Sequence, residues 1–270
     1  MTEIIDIERR FSGVRRLYGA AGLAKFQAAH VCVIGIGGVG SWAVEALARN
    51  SVGTITLIDL DNIAESNVNR QIHALEDNFG KAKVTAMAER TRAINPAINM
   101  NEIEDFVTAE NVTTLLSDCY DVILDAIDDT KAKVAIAAYC NSHQLPLITV
   151  GGAGGRLDPT KIKVDDLARV TGDKLLSKMR NQLRRDHAFP KGIDGANNRI
   201  GKQRIFGIQA VYSDEQIIVP TTNFENETLA SFKVETALSG LNCSGYGSSV
   251  SVTASFGFTA AQLVLNQLLK

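Results

Sequence analysis

The 270-residue chain predicts an α/β fold: Rossmann-like and doubly wound, with a mainly parallel sheet, helices on both faces and a C-terminal elaboration. Three observations predict it. An apolar run at 31–34 leads into Gly35, Gly37 and Gly40 in G-x-G-x-x-G spacing, directly before a helical pattern. Short apolar runs then alternate with helical patterns as far as residue 150, as expected of parallel strands joined by helical crossovers. No internal repeat or low-complexity linker divides the chain, so it reads as one elaborated domain over 1–270.

In chain order, residues 1–29 are charged and Ala-rich and read as a helical segment packed outside the sheet. The core spans 30–151. Its strands are expected at 31–34, 54–60, 100–106, 122–127 and 147–150, and its helices at 40–50, 81–94, 111–116 and 130–141. The third helical pattern stops before Pro96, because proline disfavours helix in the residue preceding it. Residues 152–248 read as a basic insertion with a short strand at 161–164, a basic helix at 173–185, a Gly/Asn-rich loop at 190–201 and a strand at 204–211. Residues 249–270 are expected to add a final strand at 249–254 and a helix.

Composition excludes some functions. The net charge is −2, which gives no global attraction to nucleic acid, yet residues 169–204 hold ten basic against three acidic residues, a local charge of +7. Lys178, Arg180, Arg184 and Arg185 are candidates to hold an RNA backbone there; a solvated helix face is the plain alternative. Polar residues such as Ser251, Thr253 and Gln262 break the apolar C-terminal run, so it reads as buried rather than membrane-spanning. Four scattered cysteines, none in a C-x-x-C pair, and an N-terminus without a signal-like apolar core point to a reducing cytoplasm and no cysteine-pair zinc site.

The glycines let the backbone turn tightly and approach phosphate oxygens, while the positive end of the following helix favours an anion. Asp59 ends the second strand at the distance where an acid meets a ribose diol. A dinucleotide-dependent oxidoreductase would show that much. Asp61, Asn67, Arg70 and Gln71 then complete D-L-D-x5-N-x2-R-Q, and G-K-A-K follows at 80–83 with Lys83. These cations suit a triphosphate, whose attack at the α-phosphorus needs charge neutralised on the departing pyrophosphate; a hydride-transfer site has no such need. Asp128, beyond the fourth strand, is the carboxylate chosen for Mg²⁺.

On these motifs the chain resembles the ubiquitin-activating-like (HesA/MoeB/ThiF) superfamily, over residues 9–151 and the C-terminal elements. The resemblance implies ATP as co-substrate, with Gly38 under the phosphates, Asp59 on the ribose, Asn67, Arg70 and Lys83 on the triphosphate, and Asp128 on Mg²⁺. It also implies a homodimer in which an N-terminal arginine enters the partner's site, with Arg16 matching better than Arg10. Closer similarity lies with the branch of tRNA threonylcarbamoyladenosine dehydratases, through RRLYG at 15–19, NRQIHAL at 69–75, GGAGGRLDPTKI at 151–162 and TASFGF at 253–258. That branch implies ATP-dependent cyclisation of the modified adenosine beside a tRNA anticodon: its carboxylate is activated as an acyl-adenylate, and intramolecular attack follows.

Three rivals stand beside this reading: adenylation of a sulfur-carrier protein's C-terminus, a dinucleotide oxidoreductase, and a nucleotide-binding scaffold for a sulfur-transfer partner. No cysteine lies between 151 and 170, which argues against thioester relay. Cys243 sits in a Gly/Ser-rich stretch and reads first as an incidental thiol, with a place near substrate as the alternative. The glycines at 151–155 could offer carbonyls to an alkali cation but read first as a tight turn. His73 and His143 are given no role.

Overall fold

A computed structural model describes residues 6–117, 119–191, 204–218 and 246–270. Helix α1 (Ile7–Ala28) precedes a regular alternation: β1 (His30–Ile34), α2 (Gly40–Arg49), β2 (Thr54–Ile58), α3 (Lys83–Ile94), β3 (Asn99–Ile103), α4 (Val112–Leu115), β4 (Val122–Asp125), α5 (Thr130–Ser142) and β5 (Leu147–Val150). Then come β6 (Ile162–Asp166), α6 (Lys174–Asp186), β7 (Gln209–Ser213) and α7 (Val250–Leu268). The described strands form a seven-stranded sheet in the order β3-β2-β1-β4-β5-β7-β6, parallel except that β6 runs antiparallel to β7.

Side-chain alternation along each strand divides the core into two layers. Val31 and Val33 of β1, with Val122 and Leu124 of β4, face a cluster that includes residues of α2, α3 and α7. Cys32, Ile34 and Ile123 face the opposite cluster, with α4, α5 and α6. Helices on both faces therefore follow from strands that are apolar on both sides.

Two expected elements differ. The strand at 249–254 is instead the start of α7: Val250, Val252 and Ala254 alternate as in a strand, but the buried residues Val252, Phe256, Ala260 and Val264 recur every four and make a helix stripe. The strand expected at 204–211 begins only at Gln209, because the N–H groups of Phe206 and Gly207 donate to the carboxylate of Asp166, both at 2.8 Å, and not to a neighbouring strand. Beyond β5, β7 and β6 extend the sheet.

Helix α7 lies against α2 through Gly257, where a Cβ would sit 2.5 Å from the Val39 carbonyl oxygen and 2.8 Å from Trp42 Cβ. Gly257→Ala is expected to lower stability by about 1–3 kcal/mol. Gly13→Ala, on α1 with no atom within 4 Å, is expected to gain about 0.5–1 kcal/mol. Urea unfolding midpoints of the two variants check this opposition.

Candidate functional site

The chain passes from β1 outward to β2 and β3, then returns to β4 on the other side of β1, so the crevice beyond the carboxyl ends of β1 and β4 is the topological switch point. Gly35 turns out of β1 with φ +87°, donates its N–H to the Ile58 carbonyl at 2.9 Å, and leaves only 2.8 Å between a would-be Cβ and Ile127 Cγ2. Gly40 opens α2 so close to Gly35 that a Cβ there would fall 1.8 Å from the Gly35 oxygen. Around Gly37 no atom comes within 4 Å of that position, and Gly38 lies under the Arg70 side chain, where a Cβ would sit 3.1 Å from Arg70 Cγ. Val39, the N-cap of α2, offers no side-chain acceptor, which leaves first-turn N–H groups for an anion.

Asp59, 7% exposed, closes the floor of this turn. Its Oδ2 accepts the Ile36 N–H at 2.6 Å and its Oδ1 the Asp61 N–H at 2.9 Å. Burial pushes its pKa above the ordinary carboxylate value, against the pull of the Lys83 ammonium and the two N–H donors. Residues 61–63 pair with 80–83 through Ile63 N–H to Lys81 O, Gly80 N–H to Ile63 O and Lys83 N–H to Asp61 O. This clasp sets Lys83 at the head of α3. The buried ammonium is 2.6 Å from the exposed carboxylate of Asp61 and 4.0 Å from Asp59 Oδ1.

Arg70 donates to the Ser66 carbonyl and to Asn69 Oδ1, and its own carbonyl accepts the Trp42 indole N–H at 2.9 Å. Asn67 builds the same loop: its Oδ1 accepts the Ala64 N–H, and its backbone oxygen accepts from Arg70 and Gln71. Gln71 is buried with Oε1 unbonded among the described residues. The same holds for both ring nitrogens of His73, which is 1% exposed. Burial, with Lys83 and Arg90 close by, pushes the His73 pKa down to about 4.

The structure thus brings Gly35, Gly37, Gly38, Gly40, Asp59, Asp61, Asn67, Arg70, Gln71 and Lys83 into one neighbourhood. Asp128 is half-buried on the loop between β4 and α5, one residue beyond Ile127, which packs on Gly35. The α6 cations divide: Arg180 and Arg184 donate to the chain's own carbonyls at Val170 and at Pro190 and Ala168, whereas Lys178 and Arg185 are exposed, Arg185 pairing with Asp186. Arg16 is exposed on α1 and Arg10 donates to the Ile94 carbonyl. In the glycine turn at 151–155, the Gly152 carbonyl accepts from Arg156 and the Gly155 carbonyl from Ile218. Cys243 lies outside the described residues.

Sequence reasoning missed the buried pairs that support this edge. Arg156, 2% exposed, binds Asp173 at 3.2 Å and the carbonyls of Gly152 and Glu215, tying the turn after β5 to the N-cap of α6. Lys133, also buried, pairs with Asp125 at the end of β4 at 2.9 Å. The signal available was a polar residue inside an apolar run, as with Thr149 in L-I-T-V.

The chain belongs to the ThiF family, whose model matches residues 11–265. Within that class it is 42% identical over 271 residues to a tRNA threonylcarbamoyladenosine dehydratase of Haemophilus influenzae, covering 100% of this chain and 97% of that one. The Escherichia coli tRNA N6-threonylcarbamoyladenosine dehydratase solved with ATP superposes with a TM-score of 0.83 at 42% identity, over 98% of this chain and 97% of the other. Its complex with AMP gives 0.82 at 41% identity, over 99% and 98%.

His73 also gives a pH signature. Its folded pKa lies below the unfolded value of about 6.5, so the unfolded chain binds the extra proton between about pH 6.5 and 4. Stability therefore falls on acidification through that window, by on the order of 3 kcal/mol from this group. Comparing urea midpoints at pH 7.5 and 5, His73→Leu is expected to lose less stability than the wild type.

Proposed function

We propose that this chain catalyses the ATP-dependent dehydration of threonylcarbamoyladenosine beside the anticodon of tRNA. The observation that carries the reading is the glycine turn with Arg70 over Gly38, Lys83 beside Asp59 on its floor, and the loop that leads to Asp128 packed on Gly35 through Ile127. The near full-length likeness to dehydratases supports it.

The donor set fits ATP and Mg²⁺. The space over Gly37 admits phosphate oxygens, with the Arg70 side chain beside it over Gly38. Both oxygens of Asp59 retain a lone pair for ribose hydroxyls after accepting their backbone N–H bonds. The described residues hold no group of three or more His, Cys, Asp or Glu side chains able to cage a metal alone. That suits Mg²⁺, which is commonly held by one or two carboxylates together with substrate phosphates. Asp128 is the carboxylate that would hold it, and when bound the ion offsets charge on the triphosphate.

The substrate's carboxylate attacks the α-phosphorus, forming a mixed anhydride with AMP and releasing pyrophosphate. The neighbouring carbamoyl group then attacks the activated carbonyl carbon and expels AMP, so one water is lost overall. Both reacting groups belong to one molecule, which removes the entropic cost of bringing them together. Arg70 and Lys83 neutralise the departing pyrophosphate, and Lys83 exchanges its bond to Asp61 for one to phosphate. No thiol relay is required. In this reading the enzyme acts as a cytoplasmic homodimer, with Arg16 of the partner completing the site.

Nucleoside mass spectrometry of tRNA carrying threonylcarbamoyladenosine, incubated with the protein, is expected to show loss of one water only when ATP is present; an unchanged nucleoside overturns the reading. Lys83→Ala is expected to reduce kcat/KM by about 10²–10³-fold. The double variant Lys178→Ala/Arg185→Ala is expected to weaken tRNA binding and lower its salt slope by about two. Titrations across a salt series check that.

A further inference from the structure

Beneath the loop that carries Asp128 lies an ionic triad with no part in the chemistry above. Lys133 in the first turn of α5, Asp125 at the end of β4 and Thr149 in β5 are each 0% exposed. The Lys133 ammonium donates to Asp125 Oδ2 at 2.9 Å, to Thr149 Oγ1 at 3.1 Å and to the Asp125 backbone carbonyl at 3.4 Å. The Thr149 hydroxyl donates to Asp125 Oδ2 at 2.8 Å.

Stability does not explain such an arrangement. Desolvating a carboxylate and an ammonium costs so much that well-packed apolar replacements of similar volume are often as stable or more so. What the triad does is fix where the chain leaves β4. Asp125 Oδ1 accepts the Ile127 N–H at 3.2 Å, and the Ala126 N–H donates to the Ile34 carbonyl at the end of β1. On the far side Asp129 caps α5 by accepting the Ala132 N–H at 2.7 Å. Between these anchors, Ile127 packs against Gly35, and Asp128 is the next residue.

We propose that Lys133, Asp125 and Thr149 are positioning residues that hold the 126–128 loop in register with the first glycine turn, so that Asp128 meets the metal-loaded triphosphate. The proposal rests on the assignment of Asp128 to Mg²⁺ made above. Residues that orient a metal ligand typically matter 10–100-fold for metal affinity.

The test is calorimetric titration of ATP into the full chain with and without Mg²⁺, for the wild type, Asp125→Leu/Lys133→Met, Thr149→Val and Asp128→Asn, with thermal unfolding as the check on folding. The double variant is expected to fold and to bind ATP without Mg²⁺ about as the wild type does. It is expected to lose about tenfold of the affinity that Mg²⁺ adds. Thr149→Val is expected to lose part of that gain, and carries the test alone if the double variant fails to fold. If Asp128→Asn loses the Mg²⁺ gain while the folded triad variants keep it, the triad does not position the ligand. If Asp128→Asn keeps the gain, the assignment of Asp128 falls and the proposal with it.

Discussion

The crevice depends on one close backbone contact, the approach of the first residue of α2 to the carbonyl of Gly35. A left-handed turn at Gly35 and the absence of a side chain at Gly40 let the five-residue link between β1 and α2 fold back on itself, so that the helix start touches the strand end. The same turn brings the Ile36 N–H onto Asp59 and Ile127 against Gly35, so β1, β2 and β4 are tied together where the strand order reverses. Much of the site is arranged around that knot. The clasp of 61–63 with 80–83 brings Lys83 to Asp59, and the 65–71 loop lays Arg70 over Gly38.

Among the described residues, the cations beside the glycine turn already have partners. Lys83 is paired with Asp61, and Arg70 rests on oxygens of its own loop. Burying a lysine without a partner carries a large desolvation cost, which Asp61, itself exposed on one side, offsets for Lys83. His73 contributes by staying neutral among cations. The deeper pairs, Lys133 with Asp125 and Arg156 with Asp173, hold the loops after β4 and β5 in place.

Much of this was legible in the sequence because it rests on local spacing. The strand–glycine–helix junction, the acid ending β2 and the N-x-x-R-Q motif followed by G-K-A-K lie within about fifty residues, and each residue's backbone position follows from short loops. Alternation misled where a helix is apolar on most sides: 250–254 satisfied the strand period as well as the helix period, and contact with α2 decided for the helix. The roles of Arg180 and Arg184 were equally hidden, since a charge run does not reveal which members bind the chain's own carbonyls.

The sequence alone determined the fold class, the order of strands and helices in the first half, and the neighbourhood of the first glycine turn, because hydrophobic period and glycine spacing act over a few residues. Only the tertiary structure decided which polar residues would be buried together. Asp125, Lys133 and Thr149 lie on three different elements, and the pairs Asp59 with Lys83 and Arg156 with Asp173 each join two segments separate in the chain. The cost of desolvating each group, and the partner that offsets it, exist only once the sheet has closed those distances.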